Sequence, residues 1–360
     1  MGSNLKVKNI VKNIVKLLLP ARVYALCRDS LSRLRSLKLG DEYGNAPLTL
    51  DQARLHKEEQ GAALSTPELK FKYPDNFIGN TRIDLNARPY LSYAHFKREG
   101  PFCWIDSDNF EQELVAKNLS AQDSEACRKM HQDGYYTISG AFSSDELDSI
   151  YSSYEKAMSV GQVEDKFGDA RSLDPHAKVP ELRDFLNDKR ITRWIELFTG
   201  RKCVPFQTLV FRSGSGQPEH SDAIHMMTEP EGYLYASWTA FEDIHPDSGP
   251  LVYYPGSHRL PYVMNADCGF DYRDLDESYT LYNTNYVPYI QNLIATKNLK
   301  AHYLQAKKGD VLIWHHNLIH GGSIVKNKNL TRKSVVNHYF ADGVLCYHEL
   351  SGNLANFDKK

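Results

Sequence analysis

At 360 residues, 41% apolar and 24% charged, the chain is long enough for one large domain with appendages or two modest ones, and it is globular rather than low-complexity. Six cysteines (Cys27, Cys103, Cys127, Cys203, Cys268 and Cys346) lack paired spacing, which argues against a zinc ribbon or a disulfide framework and for a reducing, cytoplasmic setting. The net charge of −2 hides a polarity: residues 1–40 carry nine Lys or Arg against Asp29 alone, so the remainder holds 34 basic against 44 acidic residues, a balance that speaks against nucleic acid as a partner.

In chain order, Lys6, Lys8, Lys12, Lys16 and Arg22 interleave with Leu5, Val7, Ile10, Val11, Ile14, Val15 and Leu17–Leu19 before Pro20, and Arg28, Arg33, Arg35 and Lys38 follow. Residues 1–40 therefore read as a basic amphipathic helical segment. Its composition suits peripheral contact with the anionic cytoplasmic face of a membrane through residues 1–38, and it suits docking on a partner protein equally well. The run is too short and too charged to span a bilayer, no small-residue cleavage site follows it, and Lys6 stands where a myristoylation signal needs Ser or Thr.

Residues 41–120 mix turn signals such as Asn45-Ala46-Pro47 and Tyr73-Pro74-Asp75 with short helical stretches, an irregular arm. From residue 121 the pattern tightens. Ser124–Gln132 is helix-like and ends at Asp133-Gly134, Tyr135–Ile138 has strand propensity, and Ser143-Ser-Asp-Glu146 opens a helix on which Leu147, Ile150, Tyr151, Tyr154 and Met158 share a face. Strand candidates then dominate at Val204–Arg212, Tyr233–Phe241, Leu251–Tyr254, Asp310–His315 and Ser334–Phe340. Helices first and β-branched or aromatic strands later indicate an α+β domain over 121–350, with a jelly-roll core, flanking helices and an N-terminal helical arm. The polar, Tyr-rich stretch 261–308 has the length of a lid or binding insertion.

The chemistry concentrates in the strand-rich half. In His220-Ser-Asp222 the one-residue spacing puts an imidazole and a carboxylate on the same face of an extended segment, where they can chelate one metal. His320, just past the apolar run Val311–Trp314, is the third candidate ligand; His315 and His316 flank that run too, but taking either leaves the Gly321-Gly322 pair beside His320 unexplained. Two imidazoles and one carboxylate leave about three positions open on ferrous iron, as oxygen chemistry needs. Twelve residues after His320, Arg332 offers a guanidinium fork and Ser334 a hydroxyl two residues along the strand, a pair able to hold the far carboxylate of 2-oxoglutarate.

Three ordered stretches, Gln217–Asp222, Trp238–Asp243 with Gly249-Pro-Leu and Pro255–His258, and Gly309–His315 through His320-Gly-Gly322 to Arg332, resemble the phytanoyl-CoA dioxygenase family of Fe(II)/2-oxoglutarate oxygenases. The resemblance runs from about Cys127 to Tyr347. It implies a double-stranded β-helix (a jelly-roll, cupin-like core), with His220, Asp222 and His320 as iron ligands and Arg332 as the anchor of 2-oxoglutarate. It also implies Trp238 as an aromatic wall near the co-substrate, balanced by an equal case for a core Trp. Gln207 on the preceding strand is a further co-substrate candidate, against a solvent-facing Gln, and His225 either faces the substrate or stands behind the ligands, without being a fourth ligand. Related halogenases lack the carboxylate that Asp222 retains, which favours hydroxylation or desaturation.

The resemblance thus implies oxidation of a substrate C–H bond by molecular oxygen, coupled to conversion of 2-oxoglutarate to succinate and carbon dioxide. A small or lipid/glycan-linked metabolite is the expected substrate, and a CoA thioester is not implied. Two other classes compete: a membrane-recruited, non-catalytic scaffold or sensor on the same fold, and a zinc-dependent hydrolase, which would have no need of Arg332 and Ser334.

Overall fold

The computed structural model describes residues 103–166, 170–268 and 280–349. The basic segment 1–40, the arm before residue 103 and the centre of the 261–308 insertion lie outside the described residues. Those of the arm that are described build α1 (Phe110–Ala116), and Trp104, Ile105, Phe110 and Leu114 are buried in the same core as the helices that follow.

Helix boundaries follow capping chemistry. α2 (Ala121–Asp133) starts where the Ser120 hydroxyl accepts from Asp123 N at 3.1 Å, and it ends at Gly134, whose φ of +77° an L-residue adopts only under strain. After β1 (Tyr135–Ile138), α3 (Ser144–Ser159) is opened by Ser143, which accepts from Glu146 N, the second half of the Ser-Ser-Asp-Glu signal. A short β2 (Arg171–Leu173) precedes α4 (Pro180–Leu186), with proline in its first turn, and α5 (Lys189–Thr199), capped by Asp188 and closed by Gly200.

Every strand expected between residues 204 and 340 is present with its ends shifted by no more than one residue: β3 (Cys203–Phe211), β5 (Leu234–Ala240), β6 (Leu251–Tyr253), β8 (Val311–His315) and β10 (Ser334–Ala341). Between and after them lie β4 (Met226–Glu229), β7 (His302–Tyr303), β9 (His320–Gly322) and β11 (Leu345–His348), which are too short to announce themselves by periodicity. A six-stranded sheet in the order β1-β8-β5-β10-β3-β2 faces a three-stranded sheet, β7-β6-β9, and β11 pairs with β4; all pairings are antiparallel. This is the double-stranded β-helix with helices on its outer face.

Strand alternation separates two cores. Outward residues Val210, Tyr235, Ile313, Val335 and Tyr339 pack under Met130, Leu147, Leu182, Trp194 and Phe198 of the helices. Inward residues Ala236, Trp238, Leu312, Trp314 and Val336 meet Leu251 and Tyr253 of the small sheet. The insertion is partly integrated into the barrel: α6 (Val287–Thr296) and Tyr282 and Tyr286 before it pack on Ile224, Val252 and Tyr254. Among the described residues no helix is long and apolar enough to cross a membrane, and the five cysteines are all free thiols.

Gly309 leads into β8 with φ +95°, and a Cβ there would stand 2.2 Å from Phe142 O. Gly309→Ala combines a forbidden backbone conformation with a backbone clash, a loss of about 1–3 kcal/mol or more. The expected result is a thermal midpoint lowered by several degrees, read by circular dichroism against Gly140→Ala, where positive φ applies but nothing lies within 4 Å of the added methyl.

Candidate metal centre

His220 and His320 belong to neighbouring backbone segments that form an isolated antiparallel bridge, His220 N to His320 O and His320 N to His220 O, both 2.8 Å. The bridge holds the imidazole rings with centroids 4.5 Å apart. So close an approach of two segments needs small residues. A Cβ on Gly321 would lie 3.0 Å from Gln217 O and one on Gly322 2.8 Å from Gly216 N, which accounts for the Gly-Gly pair beside His320. The loop between His220 and Asp222 is tied down from outside by Ser221 N donating to the Tyr286 hydroxyl at 3.0 Å.

The imidazoles are oriented through their far nitrogens. His220 Nδ1 stands 2.8 Å from Pro218 O and His320 Nδ1 3.0 Å from Leu318 O. Carbonyl oxygens only accept, so both rings carry their proton on Nδ1 and keep the Nε2 lone pair for a ligand. Both Nε2 atoms face Asp222 Oδ1, at 3.8 and 3.6 Å. The three donors lie within 4.8 Å of one another, all buried, the only such group among the described residues. Two neutral imidazoles and a carboxylate are the donor set that ferrous iron accepts.

The electrostatics keep Asp222 and His220 in ligand form. Burial alone would raise the Asp222 carboxyl, but the surrounding imidazoles of His320, His338 and His220 outweigh it and hold the group well below the carboxylate range. Burial, reinforced by His320, pushes His220 down to about 4 against the opposing pull of Asp222. His315 and His316 are elsewhere. His315 Nε2 is 3.3 Å from Asp106 Oδ2, and His316 Nδ1 donates to Leu234 O at 3.0 Å.

Arg332 enters the barrel just before β10. It is 2% exposed, its guanidinium sits over the Phe211 ring, and Nη1 donates to Gly249 O at 3.2 Å. Its Nε has no partner, no carboxylate pairs with it among the described residues, and burial alone pushes it down to about 10, so it stays charged at neutral pH. Trp238, cross-strand from Val336 and Leu312, faces the interior with a buried Nε1 that also lacks a partner. Ser334 is buried and donates to Arg332 O at 3.4 Å. Gln207, half-buried, lies opposite His338 in the β10–β3 register. The His225 ring is 5.3 Å from that of His220 and 5.1 Å from Tyr282, with Nε2 enclosed and unpartnered.

The structure also brings in residues that sequence reasoning did not single out. Trp314 Nε1 donates to Asp222 Oδ2 at 2.8 Å, His338 Nε2 is 3.7 Å from the same oxygen, and the Gln217 amide lies 3.2 Å from His220 Nε2. The period of two along β8 and β10 was the available signal, since Trp314 shares a face with Leu312, and His338 with Ser334.

A model of the phytanoyl-CoA dioxygenase family matches residues 130–334. The chain belongs to this family. Phytanoyl-CoA dioxygenase, peroxisomal, of Bos taurus is 26% identical over 190 residues, covering 48% of this chain and 52% of the bovine protein. The Homo sapiens enzyme of the same name is 24% identical with the same coverage, so the chain spans about half the length of these curated relatives. Among solved structures, the non-heme alpha ketoglutarate dependent carbocyclase SnoK from nogalamycin biosynthesis superposes with a TM-score of 0.49 at 17% identity, over 64% of this chain and 87% of that one. EctD from S. alaskensis with 2-oxoglutarate and 5-hydroxyectoine superposes with a TM-score of 0.44 at 18% identity, over 62% and 76%.

His220, His258 (pushed down to about 3) and His316 (well below the usual imidazole range) are held neutral first by burial and then by neighbouring imidazoles. Their depressed values mean that, between the ordinary imidazole range and about pH 4, the unfolded chain binds more protons than the native one. Stability of this family member without metal should therefore fall steadily as pH drops from about 6.5 to 4, measured as the urea midpoint against pH; a flat profile over that window would show that these rings are not buried neutral.

Proposed function

We propose that this protein is an Fe(II)- and 2-oxoglutarate-dependent dioxygenase that hydroxylates a small molecule and releases succinate and carbon dioxide. The observation that carries the reading is Arg332. A buried guanidinium with no anionic partner costs several kcal/mol of desolvation, and among the described residues Arg332 is such a group, inside the barrel that holds the His220-Asp222-His320 group. A dicarboxylate repays that cost with a charge-assisted fork at one end and reaches the metal ligands' side of the barrel with the other. Hydrolysis at a zinc site does not itself need such a cation.

In this reading His220, Asp222 and His320 hold ferrous iron, which when bound supplies oxygen activation coupled to decarboxylation of the keto acid. Arg332 receives the distal carboxylate; the Trp238 N–H, Gln207 and Ser334 supply further contacts to the co-substrate, and His225 faces the substrate side next to Tyr282. The retained carboxylate of Asp222 favours hydroxylation over halogenation. Enclosure between the two sheets excludes bulk water from the reacting groups.

The test is Arg332→Met, which keeps length and apolar volume while removing the charge. The parent should form succinate from 2-oxoglutarate only with ferrous iron and oxygen, and the variant should need about tenfold to a hundredfold more 2-oxoglutarate. The metal-free variant should be as stable as the parent or more so, since it buries no unpaired charge. An unchanged co-substrate requirement would remove Arg332 from the site, and iron-independent turnover would remove the oxygenase reading.

The substrate reading extends to a lipid- or glycan-linked metabolite, supported by the basic amphipathic composition of residues 1–38 and by Tyr282 of the insertion beside His225. On this reading the protein acts in the cytoplasm, at the face of an anionic membrane. Deleting residues 1–38 should release the protein from anionic vesicles while leaving succinate formation intact; vesicle binding that survives the deletion would reject the membrane contact.

A further inference from the structure

The two oxygens of Asp222 have different neighbours. Oδ1 faces the Nε2 atoms of His220 and His320 at 3.8 and 3.6 Å. Oδ2 accepts a 2.8 Å hydrogen bond from Trp314 Nε1 and has His338 Nε2 at 3.7 Å. All these side chains are buried, Trp314 at 2% and His338 at 3% exposure, and the Nδ1 of His338 has no partner elsewhere. The ring of Trp314 also lies 4.9 Å from that of His320.

We propose that Trp314 and His338 are positioning residues that hold Asp222 Oδ2, so that the carboxylate presents Oδ1 alone to the metal. The inference rests on the reading of this triad as a metal centre and adds to it how the centre keeps its open positions. A carboxylate can bind a cation through one oxygen or chelate it through two, and nothing in Asp222 itself chooses. Ferrous iron held by His220, His320 and one oxygen of Asp222 would keep positions free for a chelating keto acid and for oxygen. A second carboxylate oxygen would take a position that the co-substrates need.

The two holding groups have the chemistry for this. An indole N–H donates, never accepts and does not titrate in the working range, so its bond to Oδ2 is independent of pH. Trp314 sits on a central strand of the large sheet, between β1 and β5, and cannot follow the carboxylate if it rotates. His338 sits on β10, between β5 and β3, and closes the other approach to Oδ2. Outer partners of metal-binding carboxylates of this kind typically govern metal affinity by 10–100-fold.

Trp314→Phe removes the donor and keeps an aromatic ring; His338→Leu removes the second group, and His338→Gln restores an N–H in its place. Full-length protein is titrated with Mn(II), followed by electron paramagnetic resonance of the free ion, and separately with Fe(II) and 2-oxoglutarate without oxygen, followed by the visible charge-transfer band of the chelate. The expected result is Mn(II) binding about tenfold weaker in Trp314→Phe and His338→Leu, a charge-transfer band that needs about tenfold more 2-oxoglutarate, and recovery of both in His338→Gln. Circular dichroism checks that each variant is folded. If Trp314→Phe does not fold, the His338 pair decides. Folded variants that match the parent within twofold in both titrations would overturn the positioning role and leave the metal centre standing; a parent that binds neither Mn(II) nor Fe(II) would overturn the metal centre itself.

Discussion

Asp222 is a carboxylate placed where its charge is costly, and the barrel around it is arranged to keep it ionised. Two imidazoles face one oxygen, an indole N–H and a third imidazole face the other, and all of them come from different segments: the loop after β3, β9, β8 and β10. An unpaired ion in so buried a setting would cost several kcal/mol; the Trp314 N–H hydrogen-bonds it directly, and the two Nε2 atoms facing Oδ1 leave room for a cation to share with it. The closeness of the two imidazole segments follows from it, and so does the Gly321-Gly322 pair that lets the backbones meet.

Arg332 is the counterpart that the protein leaves unsettled. Its guanidinium rests on Phe211 and donates to Gly249 O, but no anion neutralises it among the described residues. Stability alone would favour an apolar side chain there. A native fold that keeps an uncompensated cation inside its core is spending stability on a ligand, and the chemistry of that ligand follows from the fork it must fill.

The Tyr-rich insertion packs against the same site. Tyr286 takes a hydrogen bond from Ser221 N between two of the metal-binding candidates, and Tyr282 stacks both on Tyr286 and near His225. The same aromatic ladder therefore supports the loop that carries His220 and Asp222 and forms part of the wall beside it. A lid in the sense of a detached flap does not describe these residues, since Tyr286, Ile290 and Leu293 are buried against Val252 and Tyr254 of the barrel.

Strands β3, β5, β8 and β10 were legible because long runs of β-branched and aromatic residues have few alternatives, and His220, Asp222, His320 and Arg332 because their residue types and order suit one chemistry. Strands of two to four residues such as β7 and β9 were not legible: their partners, not their own side chains, hold them extended. Trp314 and His338 looked like ordinary members of apolar strands until pairing between distant strands brought both to Asp222. Local sequence determines which segments are extended, which face of each is apolar and which donors are available, because those depend on neighbours two to four residues away. Only the tertiary structure decides which oxygen of Asp222 faces the imidazoles and which faces Trp314, or that Arg332 has no anion beside it among the described residues, because these depend on groups about 90 residues apart in the chain meeting in a buried space.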